Sequence, residues 1–552
     1  MTASAAPATS TFAAQGANPA HFSAGDAAAA ARDATAAAAA RDTGKRYVMA
    51  LDAGTSSVRA ILFDEKGAQV AVAQRPLTIT YPQPGWVQQD PIEILSRTIA
   101  CMVEVQFTSG IHSSSIACVG ITNQRETVVV WDRATGQPVY DAIVWQCRRT
   151  APTIERLERE GAGGYSASEL ASLVRDRTGL VLDPYFSATK IAWILDTVPG
   201  ARARAKAGEL LCGTVDTWLI YNLTHGQVHA TDYTNASRTL LFDIKRLAWD
   251  QELCELFGVP AAMLPAAYPS DHTFGRVSSD IMRHHPPIAG VAGDQQAALF
   301  GQACFEPGSV KTTYGTGCFM LMNVGATPLA STHGLLTTVG IAQGGELAYA
   351  LEGSVFQAGS VIQWLRDEMG LIATAAQSEE LARQVESANG CTFVPAFTGI
   401  GAPWWDPNAR GLITGITRDT SRAHVVRAAC EAIAFQAADV LAAMEQDAHT
   451  SITCVNVDGG AAQNNFIMEF QANILGRTIA RAQQKEATAQ GAAFLAGLAC
   501  GLWSSREELA HLVQVERVFT PTFSAEKRAG LQAQWHEAVA RACATPQPLV
   551  TG

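Results

Sequence analysis

The chain has 552 residues, 48% hydrophobic and 16% charged, with a formal net charge of −11. That length is too great for one core and predicts roughly three or four units or two large ones. The acidic balance excludes a partner held through its phosphate backbone, so no nucleic acid is expected. Twelve cysteines with no CxxC pair exclude a zinc ribbon and a disulfide frame, and suit reduced, mostly buried thiols of a cytoplasmic protein.

No apolar run reaches the roughly 20 residues of a membrane span. The nearest, GAAFLAGLACGLW at 491–503, is rich in small residues and predicts a buried helix lying closely on a sheet. Residues 1–44 are alanine-rich, with three aspartates and two arginines. They have neither the basic start and leucine core of a secretory leader nor the arginine content of a transit peptide, and read as a disordered extension outside the fold.

RYVMALDAGTSSVRAILFD, followed by AQVAVAQRPLTIT at 68–80, predicts a meander of three strands. Its first turn, DAGTSSVR at 52–59, offers backbone N–H groups and hydroxyls to a phosphate with no bulky side chain in the way. Asp52 ends the first strand, with Arg59 close behind. Such an aspartate either caps its own turn or faces a phosphate across a cation, which implies Mg²⁺. A helix from Asp90 to about Phe107 opens on Asp-Pro. The strand at 116–121 ends in TNQRET, where Arg125 and Glu126 form either a solvated surface pair or, at the carboxyl end of a sheet strand, a donor and an acceptor for a small polyol. VVVWD at 128–132 and IVWQCRR at 143–149 read as strands. GDQQAALFG at 293–301 places Asp294 at a helix start, as an N-cap or as the acceptor of a proton from an attacking hydroxyl.

The second half repeats this plan. TYGTGCF at 313–319 is another glycine-threonine turn between strands, and AYALEGSVFQAG at 348–359 extends the sheet. A long helix follows at 422–446. Residues 452–476 are strand, glycine-rich turn (GGAAQN at 459–464) and helix, with Gly476 as the stop. The turn either relieves crowding or opens a helix whose amides meet a nucleotide. Each half thus holds a meander and then alternating α and β elements. An α/β fold of two duplicated lobes follows, 45–301 and 302–552, gripping one polyphosphate in the cleft between them. Phosphoryl transfer from a nucleotide is the leading idea.

Together these residues resemble the FGGY carbohydrate kinase family and, within it, the glycerol kinases. The likeness runs from Arg46 to about position 540 and includes ITNQRET at 121–127, AIVWQCRRT at 142–150, DPYFSATK at 183–190, TDYTNASRT at 231–239, AGDQQAALFGQ at 292–302 and VPAFTGIGAPWWDP at 394–407. It implies two actin-like, RNase-H-like lobes with ATP in the cleft and transfer of its γ-phosphoryl to the 3-hydroxyl of glycerol, leaving ADP. Arg125, Glu126, Tyr185, Asp294 and Gln295 match glycerol-binding positions, with Trp145 and Phe319 as aromatic walls. Thr55, Ser56, Ser57 and Arg59 match the first phosphate loop, and Thr316 the second. Gly359, Gln363, Gly460 and Asn464 match the remaining nucleotide contacts. Asp294 matches the catalytic base and Asp52 the aspartate that holds Mg²⁺. A homo-oligomer, dimer or tetramer, is also implied.

Some positions depart from the pattern. Ala53 and Val58 stand where relatives often carry polar side chains, so one contact to phosphate or to Mg²⁺-bound water is expected to be missing. SSDIMRHHPPIAG at 278–290 replaces a glycine-rich loop that some bacterial relatives use for fructose 1,6-bisphosphate, and regulation by that sugar is not expected. Three other readings compete, one of them an inactive relative acting as a scaffold, which should have lost Asp294 or a phosphate loop and has lost neither. A family member acting on xylulose or gluconate would carry other residues in place of NQRET. An actin-like or chaperone-like ATPase would need both phosphate loops but not Arg125, Glu126, Trp145 and Tyr185.

Overall fold

The run YVMALDA forms the strand Tyr47–Ala53, in which Val48, Met49, Ala50 and Leu51 are all buried. Burial on both faces is the signature of a central strand in a covered sheet. In the computed structural model, which describes residues 44–543 except 407, 453 and 485, this strand pairs antiparallel with Ser57–Phe63 and parallel with Ile116–Asn123. Gln69–Pro76 extends one edge and Ile288–Gly293 the other, completing a five-stranded sheet. The three-stranded meander was legible in sequence. The extension expected at 1–44 lies, but for Gly44, outside the described residues.

The second sheet repeats that order. Val310–Tyr314 pairs antiparallel with Cys318–Gly325 and parallel with Cys454–Gly459. Glu346–Val355 and Thr478–Ala482 take the outer places, and Leu336–Gln343 and Val515–Phe519 are added at the edges. Two sheets with the same central order are the internal duplication that the sequence suggested. Leu336–Gln343 was not foreseen, because seven of its eight residues are buried and the run lacks the alternation that marks a half-exposed strand.

Helices cover both sheets. Pro91–Ser109 starts where Asp90 accepts from the Ile92 amide and stops at Gly110, φ 66°, a left-handed cap that glycine adopts without strain. The helix Ala487–Ala499 lies on the first sheet although it is distant in the chain. It can do so because a methyl on Gly120 or Gly290 would meet the helix backbone at Ala492 or Ala496. It also crosses the helix Asp294–Gly301 at an approach so close that a methyl on Gly491 would run into the Ala297 carbonyl, and one on Gly301 into that of Ala487. The expectation of a small-residue helix set closely on a sheet holds.

A smaller four-stranded sheet, Gln88–Gln89, Ala142–Ile143, Val128–Asp132 and Leu210–Thr214 in spatial order, stands beside the first lobe. The strand expected at 143–149 is mostly a turn. The Trp145 amide is taken by the Thr127 hydroxyl at 3.1 Å and the Cys147 amide by the Val144 carbonyl at 2.9 Å. Those donors are therefore lost to any ladder. The turn carries Trp145, and the helix Ser187–Thr197 begins two residues after Tyr185. Nine of the twelve cysteines are buried and all are free thiols. Among the described residues no helix is long and apolar enough to cross a membrane.

Candidate active site

The strand Tyr47–Ala53 ends at the first phosphate loop, which its surroundings hold in shape. The Gly54 amide bonds the Ser57 carbonyl at 3.1 Å, and the Leu77 amide bonds the Ser56 carbonyl at 2.9 Å. The Gln89 side chain donates to the Thr55 carbonyl at 2.6 Å and accepts from Gln124 at 2.7 Å. Of the hydroxyls, Thr55 accepts from the Trp145 indole at 2.9 Å and Ser57 from Gln74 at 2.9 Å. Ser56 is exposed. Ala53 and Val58 both point into the first-lobe core, so neither side chain faces the loop.

Gln89 was missed by the sequence reading, since it stands alone in a polar stretch. Losing it frees the Thr55 peptide, at a cost of about 1–2 kcal/mol for unpaired buried hydrogen-bonding groups. On the nucleotide-binding role that the family resemblance implies for this loop, Gln89→Ala is expected to raise the KM for the nucleotide severalfold and leave that for the phosphoryl acceptor within about twofold. Initial rates against each substrate check this.

Asp52 is pushed up to about 6 by burial, which outweighs the pull of Arg59. Arg59 lies 3.9 Å from Asp52 and is ion-paired with Glu486 from the segment leading into the helix Ala487–Ala499. Among the described residues no group of three His, Cys, Asp or Glu side chains could hold a metal ion. One buried carboxylate beside a phosphate loop nevertheless fits Mg²⁺, which commonly takes one or two carboxylates together with substrate phosphates and water.

Strand Ile116–Asn123 delivers Arg125 and Glu126 to the contact with the second sheet, both almost wholly buried. They are no surface pair. Arg125 donates Nη1 and Nη2 to Glu352 at 2.6 and 3.0 Å, and Nη1 to Gln296 at 3.1 Å. Its Nε lies 3.2 Å from Asp294 Oδ1. Glu126, at φ 59°, accepts from Arg238 Nε at 2.7 Å. Burial and the two arginines act on Glu352 in opposite directions, and the arginines win, holding it at about 2. Glu126 is raised by burial, against Arg125 and Arg238.

The helix Asp294–Gly301 is capped by Gly293, so Asp294 is the first helical residue rather than the cap. Its Oδ1 accepts from the Gln295 amide at 2.7 Å. The side chain is 31% exposed, open to a ligand while Arg125 fixes its position. The Gly293 amide is itself tied to the Thr234 hydroxyl at 2.9 Å. Gln295 accepts from Lys311 of the second lobe, whose ammonium burial lowers to about 8 despite nearby Asp458 and Asp294.

Three aromatic rings stand beside these groups. Trp145 meets Tyr185 edge-on with centroids 5.6 Å apart, and Phe319 of the second lobe at 6.1 Å. Burial, then Glu126, pushes the Tyr185 phenol up, so it remains a hydrogen-bond donor. The second phosphate loop is anchored to the next helix: the Ala358 and Ser360 amides bond the Thr316 carbonyl at 3.0 and 3.1 Å, and the Gly359 amide bonds Gly315 at 3.0 Å. A methyl on Gly359 would strike the Gly315 carbonyl, and Thr316 stays exposed. Gln363 is exposed one turn further along the helix Gly359–Asp367. Gly460 faces open space beside Gly459, which itself abuts Tyr314. Asn464 caps the helix Asn465–Leu475 through the Ile467 amide at 3.1 Å and donates to Ser378 at 3.1 Å, so its side chain has a structural task already.

The sequence reading thus placed Arg125, Asp294, Trp145, Tyr185 and Phe319 in a setting where the structure joins them. It missed Glu352, Arg238, Lys311 and Gln296. The available signal was an ionisable residue inside an apolar strand, Lys311 in SVKTTY and Glu352 in YALEGSV, and such residues are almost never buried unpaired.

Comparison with known proteins agrees. Residues 47–301 match the N-terminal domain, and residues 310–500 the C-terminal domain, of the FGGY family of carbohydrate kinases. The chain is 54% identical over 496 residues to glycerol kinase 2 of Thermotoga maritima, covering 90% of this chain and 98% of that one. It is 54% identical over 497 residues to the glycerol kinase of Shewanella oneidensis, covering 90% and 99%. Plasmodium falciparum glycerol kinase with ADP superposes with a TM-score of 0.84 at 35% identity, over 91% of this chain and 99% of that chain. Gluconate kinase from Lactobacillus acidophilus shares the fold, TM-score 0.80 at 20% identity, over 91% and 99%. With both lobes matched and a relative 54% identical over 90% of this chain, this chain belongs to the FGGY family of carbohydrate kinases.

Proposed function

We propose that this chain phosphorylates glycerol at its 3-hydroxyl with ATP, releasing sn-glycerol 3-phosphate and ADP. The observation that carries the reading is the meeting of Asp294, Arg125 and three aromatic rings at the cleft floor, in a chain 54% identical to glycerol kinases along their whole length. A short polyol has polar edges and a small apolar backbone. Arg125, Tyr185 and Gln295 suit its hydroxyls as donors, Glu126 and Asp294 as acceptors, and Trp145 and Phe319 cover the carbons.

Asp294 takes the proton of the attacking hydroxyl as the O–P bond forms and the bond to the leaving ADP oxygen breaks. A loose transition state asks mostly for positioning and spread charge. Thr55, Ser56, Ser57 and Thr316, with the amides of their loops, bind the phosphates. Arg59 serves the same end once it releases Glu486. Gly359, Gln363, Gly460 and Asn464 line the nucleoside end. Asp52 would hold Mg²⁺, which when bound neutralises charge on the phosphates. The lobes 45–301 and 302–552 close on the substrates and exclude water. A cytoplasmic homo-oligomer completes the reading.

Phosphorus NMR of a reaction containing MgATP and glycerol tests it. A glycerol 3-phosphate resonance growing in step with ADP is expected. Inorganic phosphate alone, or no turnover, would overturn the assignment.

A further inference from the structure

The carboxylate that orients the arginine of the polyol pocket comes from the opposite lobe. Glu352 lies in Glu346–Val355 of the second sheet, and its side chain is wholly buried. It receives Nη1 and Nη2 of Arg125 and, on Oε1, also Nη2 of Arg238 at 2.9 Å. Arg238 in turn holds Glu126 through Nε at 2.7 Å. Arg125 Nε lies 3.9 Å from Glu126 Oε1, so the four side chains close a ring in which Glu352 holds Arg125 directly and Glu126 through Arg238. Arg238 keeps one buried Nη1 without a partner among the described residues. The ring is therefore not saturated, and Glu352 is the member that both guanidinium groups share.

The register adds a second link. Leu321 stands opposite Glu352, and Phe319 opposite Ser354, in the same strand pair. The wall that Phe319 contributes and the anchor that Glu352 contributes therefore move together. We infer that Glu352 is a positioning residue for acceptor binding, which aims Arg125 at the polyol and sets the spacing between Phe319 in one lobe and Trp145 in the other. This rests on the glycerol kinase reading. The distinction from a plain buried ion pair lies in selectivity. A merely structural pair, once broken, loosens the fold and weakens both substrates alike. A positioning residue acts chiefly on the acceptor, because among the described residues no hydrogen bond or ion pair joins the four side chains of the ring to either phosphate loop.

Glu352→Gln keeps the shape and removes the charge, while Glu352→Asp keeps the charge and shortens the reach. Steady-state kinetics against glycerol and ATP, with ADP binding and thermal melting as controls, test the inference. In Glu352→Gln the KM for glycerol is expected to rise at least tenfold, with the KM for ATP and the Kd for ADP within about twofold. Glu352→Asp is expected to recover part of that loss. A folded Glu352→Gln protein with unchanged glycerol KM, or with equal losses for both substrates, overturns the inference. If Glu352→Gln does not fold, Glu352→Asp decides on the same readout: a selective rise in glycerol KM supports it and none overturns it. Failure of the native enzyme to turn over glycerol would instead remove the functional reading itself.

Discussion

Asp294→Asn is expected to bind ADP and glycerol nearly as the native protein does, while kcat falls on the order of 1,000-fold, within the usual range for losing a general base. The carboxamide can still accept from the Gln295 amide, as Asp294 Oδ1 does at 2.7 Å, so the helix start survives. It loses the charge that faces Arg125 Nε at 3.2 Å and cannot take up the hydroxyl proton. Arg125 keeps Glu352, so no guanidinium is left unpaired. Single-turnover transfer measured beside equilibrium binding of ADP separates the two effects. Near-native turnover would take Asp294 out of the base role. Arg125→Ala is a poorer probe. It breaks the buried Arg125–Glu352 pair and leaves Glu352 with Arg238 alone; breaking a buried pair typically costs about 3–5 kcal/mol, so a folding defect would obscure any loss of acceptor binding.

Gly491→Val is expected to destabilise the protein by about 3 kcal/mol or more, at the upper end for an overpacked core. The branched side chain would meet the Ala297 carbonyl and the Gly301 amide, which are backbone atoms with no freedom to swing aside. The same contact reaches the chemistry. Ala297 lies on the helix that Asp294 begins, so pushing that helix away shifts the base, and a misplacement of about 1 Å can cost 100-fold in rate. Gly491→Ala, whose Cβ alone meets the Ala297 carbonyl, is accordingly expected to lower both kcat and the melting temperature. Gly530→Ala is the matched control. Gly530 sits in the helix Ala525–Cys543 with nothing within 4 Å of an added methyl, and that change is expected to raise stability by about 0.5–1 kcal/mol. A Gly491→Val protein that melts with the native one would show that the helix contact is looser than its geometry requires.

The sequence reading went furthest where one local rule sufficed. Asp90 and Pro91 announced a helix start, Gly476 a stop, and the two glycine-threonine turns their hairpins. It also singled out Asp294 and Arg125, because a carboxylate at a helix start and an arginine at a strand end have recognisable chemistry, whereas Trp145, Tyr185 and Phe319 came from the family resemblance. What escaped it was set by partners distant in the chain. Whether Arg125 and Glu126 are a surface pair or a buried one depends on Glu352, 227 positions from Arg125, and on Arg238. Nothing local to NQRET decides it. Trp145 was read into a strand because its neighbours are apolar, whereas the Thr127 hydroxyl draws its amide into a turn. A helix at 491–503 was expected on a sheet, but only Gly120 and Gly290 in three dimensions reveal that the helix Ala487–Ala499 lies on the sheet of the first lobe.

The central claim is the identity of the acceptor, and the most direct measurement is ADP release from MgATP with glycerol, xylulose, gluconate or no acceptor. The account predicts strong stimulation by glycerol alone, with a small basal rate in its absence. Activity on xylulose or gluconate without a glycerol response would keep the fold and Asp294 but contradict the pocket drawn around Arg125, Trp145 and Phe319.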